Sequence, residues 1–151
     1  KSVVIFCGSI PEHDKDSGSN RLKEIITAFV SCDYYVTLIS KFTYIENPYI
    51  QIYQRLGVNV FYEHQYLKSV SSYLKEQKLD PGITWFYGPK VFIDNYKMAK
   101  KKFLNSKLVY DMVDIHHLRY KRAIELDPKR IALRTKYLKY KKLEIKNLIV
   151  K

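Results

Sequence analysis

The chain opens on Ser2–Cys7, SVVIFC, an unbroken apolar run that is typical of a strand buried on both faces. Four more runs rich in β-branched and aromatic residues follow, each with room for a helix before it. They are Tyr35–Ser40 (YVTLIS), Val58–Tyr62 (VNVFY), Ile83–Tyr87 (ITWFY) and Lys107–Asp111 (KLVYD). Strands that alternate with helices pair in parallel through right-handed crossovers. The sequence therefore predicts an α/β fold: a Rossmann-like parallel sheet of five to six strands with flanking helices.

The segments between these strands carry helix signals. In one of them, apolar residues recur three, four, seven and eight positions apart and define one helical face. Another places Pro48 in its first turn, where the missing N–H of proline is not needed. The predicted helices are Asn20–Ser31, Pro48–Leu56, Ser69–Gln77 and Pro89–Leu104.

The segment after Leu118 is predicted to be helical. Pro128 divides it, so we expect one helix that ends before Asp127 and a longer, basic C-terminal helix over Lys129–Leu148. Residues 147–150 (NLIV) could begin a further strand.

Positive charge is concentrated in the same segment. Residues 119–151 carry 12 Lys+Arg and 3 Asp+Glu, which is nine of the +12 net charge of the chain. Such a segment attracts anionic lipid, nucleic acid or phosphorylated substrates, or forms an ordinary solvated helix face. We expect residues 119–142 to offer a surface for an anionic membrane. Nucleic acid is not the expected partner, because the sequence has no recognised nucleic-acid motif.

Two further features bear on the compartment. No apolar run approaches the roughly 20 residues that span a bilayer. The two cysteines, Cys7 and Cys32, lie in apolar stretches without CxxC or Cys/His spacing, so we expect both to be reduced and buried. These features predict a cytoplasmic protein, which could lie peripherally at the inner face of the membrane.

A polar loop follows the first predicted strand and runs into a helix N-terminus at Gly18-Ser19-Asn20-Arg21. Free N–H groups and the positive end of the helix dipole make such a place receptive to phosphate. Gly18 lets a ligand approach the backbone, and Arg21 can pair with an anion. Ser19 or Asn20 can cap the helix, so the loop also fits an ordinary connection. It is neither G-x-G-x-x-G nor a P-loop, and neither NAD nor ATP binding is indicated.

Titratable side chains also crowd the end of the fifth predicted strand. Two carboxylates, two imidazoles and a guanidinium lie within nine residues: Asp111, Asp114, His116, His117 and Arg119. Such a cluster at a strand end can do acid–base work or orient hydroxyl groups. Asp114 could instead be a plain helix cap. Adjacent histidines point in different directions, so no metal site is predicted.

Three segments carry a family resemblance in their order along the chain. They are Asp14–Arg21 (DKDSGSNR), Tyr49 with Arg55–Val60 (RLGVNV), and Val109–Arg119 (VYDMVDIHHLR). Together they resemble the N-terminal domains of bacterial glycosyltransferase family 4-type enzymes, over nearly the whole chain. The resemblance implies a GT-B architecture, in which two Rossmann-like domains enclose the active site. Residues 1–151 would then be the acceptor-side domain, without the donor-binding domain.

The resemblance also implies a reaction. Such enzymes move a sugar from a nucleotide-sugar donor to a glycan or lipid-linked acceptor, here with retention and with no required metal ion or cofactor. Gly18 and Ser19 would form the loop that approaches the donor diphosphate, and Arg21 would support it.

The catalytic residues that the resemblance implies are Asp114 and His116, which would contact the acceptor hydroxyls and the glycosyl centre. Many relatives carry a histidine at the position of Val113, and His116 is the candidate to replace it. The residues that would help to bind donor or acceptor are Asp111, His117 and Arg119. The alternative function is a basic Rossmann-like module without enzymatic activity, which would bind nucleic acid or a small molecule.

Overall fold

In the computed structural model, which describes residues 1–43, 46–63 and 69–149, five strands form one parallel sheet. The strands are β1 (Ser2–Ser9), β2 (Tyr35–Phe42), β3 (Asn59–Tyr62), β4 (Ile83–Tyr87) and β5 (Lys107–Asp111). Their order is β3-β2-β1-β4-β5, which confirms the α/β Rossmann-like fold. The direction of winding changes between β1 and β4, and open parallel sheets bind ligands beside the carboxyl ends of strands at such a point.

Six helices in the described part of the chain follow or separate the strands. They are α1 (Ser17–Ser31), α2 (Pro48–Arg55), α3 (Val70–Glu76), α4 (Pro89–Lys102), α5 (His116–Leu126) and α6 (Ile131–Ile149). Each predicted helix is found, with ends within three residues of the prediction.

The prediction of a further strand at residues 147–150 is wrong for 147–149, which continue α6. Asn147 is buried, and its side-chain amide donates a hydrogen bond to the Pro89 carbonyl oxygen at 2.9 Å. Pro89 is the first residue of α4, so this bond fastens the last turns of α6 to the beginning of α4. Val150 lies outside the described residues.

The central strand β1 separates two hydrophobic cores because its side chains alternate between the faces of the sheet. Val3 and Ile5 face a core shared with α1 and α2, whereas Val4 and Phe6 face a core shared with α3 and α4. All four side chains are buried. Burial of one large apolar side chain contributes about 1.5–3 kcal/mol to stability. Burial therefore fixes the position of β1, and with it the beginning of the loop that follows its carboxyl end.

The two cysteines differ in burial. Both are free thiols, but Cys7 is buried in β1 and Cys32 is exposed, so the prediction that both are buried is wrong for Cys32. Cys32 is the C-cap of α1 and precedes Asp33, whose positive φ of 58° turns the chain out of the helix. The apolar residues before Cys32 belong to α1, so Cys32 lies at a helix end and not in a buried strand.

α5 and α6 form a helical hairpin after β5, and α6 packs on α4. Glu144 and Asn147, two polar residues of α6, are among its most buried side chains. Within residues 1–43, 46–63 and 69–149, no helix combines the length and the apolar content needed to cross a membrane.

Candidate functional site

The two polar strand ends predicted from the sequence meet at the carboxyl edge of the sheet. Arg21, in α1, places its Nη1 atom 2.9 Å from Oδ2 of Asp111, the last residue of β5. Tyr87, the last residue of β4, donates a hydrogen bond from its hydroxyl to the Gly18 carbonyl oxygen at 2.6 Å. The loop after β1 and the end of β5 thus form one continuous surface beside the switch point.

The first turn of α1 is capped by Asp16. Its carboxylate accepts hydrogen bonds from the Ser19 N–H at 2.8 Å and from the Ser19 hydroxyl at 2.7 Å. These bonds hold the pKa of Asp16 below its usual value. The expectation that Ser19 or Asn20 caps the helix is therefore wrong, because α1 begins at Ser17 and makes Asp16 the N-cap. A phosphate at this helix end must compete with the Asp16 carboxylate for Ser19.

Gly18 is closely surrounded on the side where a side chain would project. A Cβ atom built on Gly18 would lie 3.1 Å from Asp16 Oδ1, 3.6 Å from the Tyr87 hydroxyl and 3.8 Å from Val113 Cγ1. Any residue with a side chain at position 18 would push against the Asp16 carboxylate. The glycine thereby allows α1, β4 and the segment after β5 to approach one another.

Two tyrosines of α2 hold the loop that precedes α1. Tyr49 donates its hydroxyl hydrogen to the Asp14 carboxylate, which holds the pKa of Asp14 below its usual value. Tyr53 is fully buried and donates to the Pro11 carbonyl oxygen at 2.8 Å. Neither anchor was predicted from the sequence. The signal was present in the four-residue spacing of two tyrosines, which places them on one helical face.

The backbone turns sharply directly after β5. Val113 adopts a φ of 64°, in the left-handed region that a β-branched residue rarely enters. Its N–H donates to Asp111 Oδ1 at 3.0 Å, while the Asp111 carbonyl oxygen accepts from the Gly88 N–H at 2.8 Å. A left-handed conformation costs such a residue about 1–2 kcal/mol. Strain of this kind is concentrated at functional sites, which makes this turn a candidate.

An open groove of about 860 Å³ runs between this turn and one face of α5. Asp114 and Arg119 lie on it, with Asp114 Oδ2 3.1 Å from Arg119 Nη1 and both side chains substantially exposed. The lining is otherwise mixed, with Asp111, Met112, Val113, Ile115, Leu118, Arg122, Ala123 and Leu126. The groove therefore offers carboxylates and guanidinium groups on an apolar background, which suits an amphipathic or polyhydroxylated ligand.

His116 and His117 are held by Glu144 of α6, a residue that was not predicted to belong to the site. The Glu144 carboxylate accepts from the backbone N–H of His116 at 2.9 Å and of His117 at 3.4 Å. His117 Nδ1 lies 2.5 Å from Glu144 Oε2. Glu144, and not Asp114, therefore accepts hydrogen bonds from the free N–H groups at the beginning of α5.

The rings of both histidines lie against α6. His116 stacks on Tyr140 with ring centroids 4.7 Å apart, and its Nδ1 atom is 3.0 Å from the Asp114 carbonyl oxygen. His117 packs near Tyr137. Neither histidine lines the groove that holds Asp114 and Arg119. Of the predicted site residues, the structure therefore brings together Gly18, Arg21, Asp111, Asp114 and Arg119 along one edge, with His116 and His117 behind the turn.

Comparison with known proteins gives no match of this chain to a protein-family model, to a curated protein or to a solved structure. Among the residues that the structure describes, no group of three or more His, Cys, Asp or Glu side chains is arranged to hold a metal ion.

Proposed function

We propose that this chain is the N-terminal, acceptor-side domain of a retaining glycosyltransferase that uses a nucleotide-sugar donor. The observation that supports it best is the meeting of the Gly18 loop with Asp111 beside an open groove, at the carboxyl edge of a Rossmann-like sheet. In such sheets this edge is where ligands bind. The ordered sequence resemblance falls on the same residues.

The acceptor would occupy the groove beside Asp114. A carboxylate accepts hydrogen bonds from sugar hydroxyls, and a guanidinium donates to them, so Asp114 and Arg119 can bind an acceptor together. Asp114 is the group that can orient the attacking hydroxyl, because its carboxylate is exposed on the groove. His116 acts as a positioning residue in this proposal, since its ring contacts the Asp114 carbonyl oxygen.

The donor diphosphate would approach α1 at Gly18. The Arg21 side chain is half exposed, and its hydrogen bond to Asp111 raises the Arg21 pKa above its usual value. A guanidinium has five N–H donors, so Arg21 can keep Asp111 and still bind an anion. Asp16 competes at the same helix end, so phosphate binding requires the Asp16–Ser19 contacts to open.

The test is an NMR titration of the isotopically labelled chain, residues 1–151, with a panel of oligosaccharides. The changes in the backbone chemical shifts are measured at each step. We expect weak binding, with a Kd of about 1 mM, and shifts concentrated over residues 111–126. Asp114→Asn should weaken binding about tenfold, through loss of a charged acceptor. The matched control is Asp94→Asn, which removes a carboxylate from α4 and should leave the Kd unchanged. No shift in that range with any oligosaccharide would count against an acceptor groove.

A further inference from the structure

A cleft separates the short helix α3 from α4, on the face of the sheet where Val4 and Phe6 are buried. One part of the cleft has a volume of about 410 Å³ and is lined by Ser71, Leu74, Lys75, Met98, Lys101 and Lys102. A second part, of about 290 Å³, continues from Ser71 and Met98 to the carboxyl ends of β1 and β2. Together the two volumes fall within the roughly 300–1,000 Å³ that is typical of small-molecule sites.

The floor of the cleft is an opening in the hydrophobic core. Val70 and Leu74 are 8% and 1% exposed, and both belong to the cluster that contains Phe6. Met98 is partly buried and packs against the same cluster. α3 has seven residues where α4 has fourteen, so it runs beside only part of α4. The apolar floor is therefore continuous with packed side chains and is left open by the short helix.

The end of the cleft at the C-terminal turns of the two helices is positively charged. Lys75 lies in the last turn of α3, and Lys101 and Lys102 lie in the last turn of α4. Among the described residues, none of these lysines forms an ion pair and no carboxylate lines this part of the cleft. Each helix C-terminus contributes roughly half a negative charge, so the three lysines leave about two positive charges there. This end of the cleft therefore favours an anionic group.

The basic end of the cleft lies at the edge of the sheet opposite the candidate site. α3 and α4 are the crossovers that join β3 to β4 and β4 to β5, so they run antiparallel to the strands. Their C-terminal turns lie beside the amino ends of the strands, whereas Gly18 and Asp111 lie at the carboxyl edge. An inference about this cleft is therefore independent of the transferase activity.

We propose that the cleft binds a single alkyl chain that carries one carboxylate or phosphate group. The chain lies on Leu74 and Met98, between the methylene stems of the lysines. Its anionic group accepts charge-assisted hydrogen bonds from the ammonium groups at the rim. Fatty carboxylates and alkyl phosphates share this chemistry.

The size and charge of the cleft favour such a ligand over other occupants. One turn of an α-helix about 10 Å across and about 5.4 Å long occupies roughly 400 Å³, so the basic part is too small for a helix of another protein. Nucleic acid would pair with the lysines but leave the apolar floor uncovered. In the groove beside Asp114, the Arg119 guanidinium is already paired with a carboxylate, which makes it a weaker site for an anion.

The experiment is an NMR and calorimetric titration of the labelled chain with octanoate and with octyl phosphate, below the concentrations at which they form micelles. We expect a Kd of about 0.1 mM and chemical-shift changes concentrated at residues 71–75 and 98–102. Hexanoate, which has a shorter chain, should bind about tenfold more weakly. 1-Octanol, which lacks the charge, should also bind about tenfold more weakly. The tighter of octanoate and octyl phosphate identifies the anionic group that the cleft prefers.

A variant of the charged end separates the lysines from general basicity. Lys75→Gln/Lys101→Gln should weaken octanoate binding about tenfold and leave 1-octanol binding within about twofold, because only the anion loses a partner. Lys142→Gln/Lys146→Gln, which removes the same charge from exposed positions of α6, is the matched control. It should keep octanoate binding within about twofold of the unchanged chain.

A variant of the apolar part locates the chain. Ser71 is exposed and lines both parts of the cleft, so Ser71→Trp should fill it and weaken octanoate and 1-octanol alike, by about tenfold or more. Lys97→Trp is the matched control, because Lys97 is exposed on α4 and does not line the cleft. Circular dichroism checks that each variant is folded.

Four outcomes would overturn the proposal. One is that neither octanoate nor octyl phosphate binds at concentrations up to about 10 mM. A second is that the chemical-shift changes fall on residues 111–126. A third is that the α6 control or Lys97→Trp loses binding as much as the cleft variants. The fourth is that inorganic phosphate binds as tightly as octyl phosphate, which would leave an adventitious ion only.

Discussion

Glu144 Oε1 lies 2.9 Å from the backbone nitrogen of His116, a residue 28 positions earlier, so α6 supplies the cap that α5 lacks in its own sequence. The helix start has no side-chain cap from its own N-cap residue, Ile115. One buried carboxylate thereby joins the two helices of the hairpin and holds the turn that carries Asp114 in place.

We expect Glu144→Ala to lower the free energy of unfolding by about 2–4 kcal/mol, measured by urea denaturation. The change leaves the N–H groups of His116 and His117 without their acceptor and opens a cavity between α5 and α6. Glu125→Ala, which removes an exposed carboxylate from the same hairpin, is the control and should change stability by less than about 0.5 kcal/mol. Equal effects of the two substitutions would contradict a capping role for Glu144.

The cap at the beginning of α1 gives a pH-dependent prediction. Because the folded-state pKa of Asp16 lies below its unfolded value, its contribution is fully present above the unfolded pKa. It is lost as the pH falls through the folded-state pKa. Asp16→Ala should therefore cost about 1 kcal/mol at pH 7 and progressively less in acid.

The measurement is urea denaturation of the unchanged chain and Asp16→Ala from pH 7 downward. Asp16→Asn is the control, because asparagine also caps helices but carries no charge. It should retain most of the stability at pH 7 with a flatter acid dependence. A difference between the unchanged chain and Asp16→Ala that persists in strong acid would argue against the carboxylate as its source.

The two thiols should react at very different rates in the folded chain. Burial raises the pKa of Cys7 to about 12, so its thiol stays protonated as well as covered at pH 8. Cys32 is exposed and has no such cover. One equivalent of a thiol-specific alkylating reagent should therefore be incorporated at Cys32 in native buffer and a second only in denaturant.

Mass spectrometry of the intact chain and its peptides checks the site and the number of labels. Cys32→Ser should abolish native labelling, whereas Cys7→Ser should leave it unchanged if the fold is retained. Native labelling of Cys7 at the rate of Cys32 would contradict the burial of β1.

The strands and helices were predictable because each depends on a local pattern of apolar residues. Ser2–Cys7, for example, is apolar at every position after the first, and β1 is covered on both faces. The pairing of Arg21 with Asp111 depends on the carboxyl ends of β1 and β5 sharing one edge, which the fold class implied but did not specify. Glu144 is different in kind, since nothing near it in sequence indicates that its partner lies 28 residues earlier.

The predicted N-cap of α1 was wrong because the sequence offers more than one good capping residue. Asp16 and Ser19 are both good N-cap residues, so the sequence allowed two beginnings for the helix, three residues apart. In the structure the Asp16 carboxylate accepts a hydrogen bond from the Ser19 N–H at 2.8 Å, so Asp16 is the N-cap and the helix begins at Ser17.

Gly18 offers the most direct test of the site in the proposed reaction. In a polypeptide that joins this domain to a donor-binding domain, we expect Gly18→Trp to abolish sugar transfer, because the indole would displace Asp16, Tyr87 and Val113, which surround Gly18 at the beginning of α1. Gly18→Ala should already lower kcat/KM, since its Cβ would lie 3.1 Å from Asp16 Oδ1 and push against the cap. Gly8→Ala is the matched control, because its nearest contact is an ordinary 3.8 Å from Val91 Cγ2. If Gly18→Trp folds normally and transfers sugar at the unchanged rate, the loop takes no part in donor binding, and the groove beside Asp114 must be judged by acceptor binding alone.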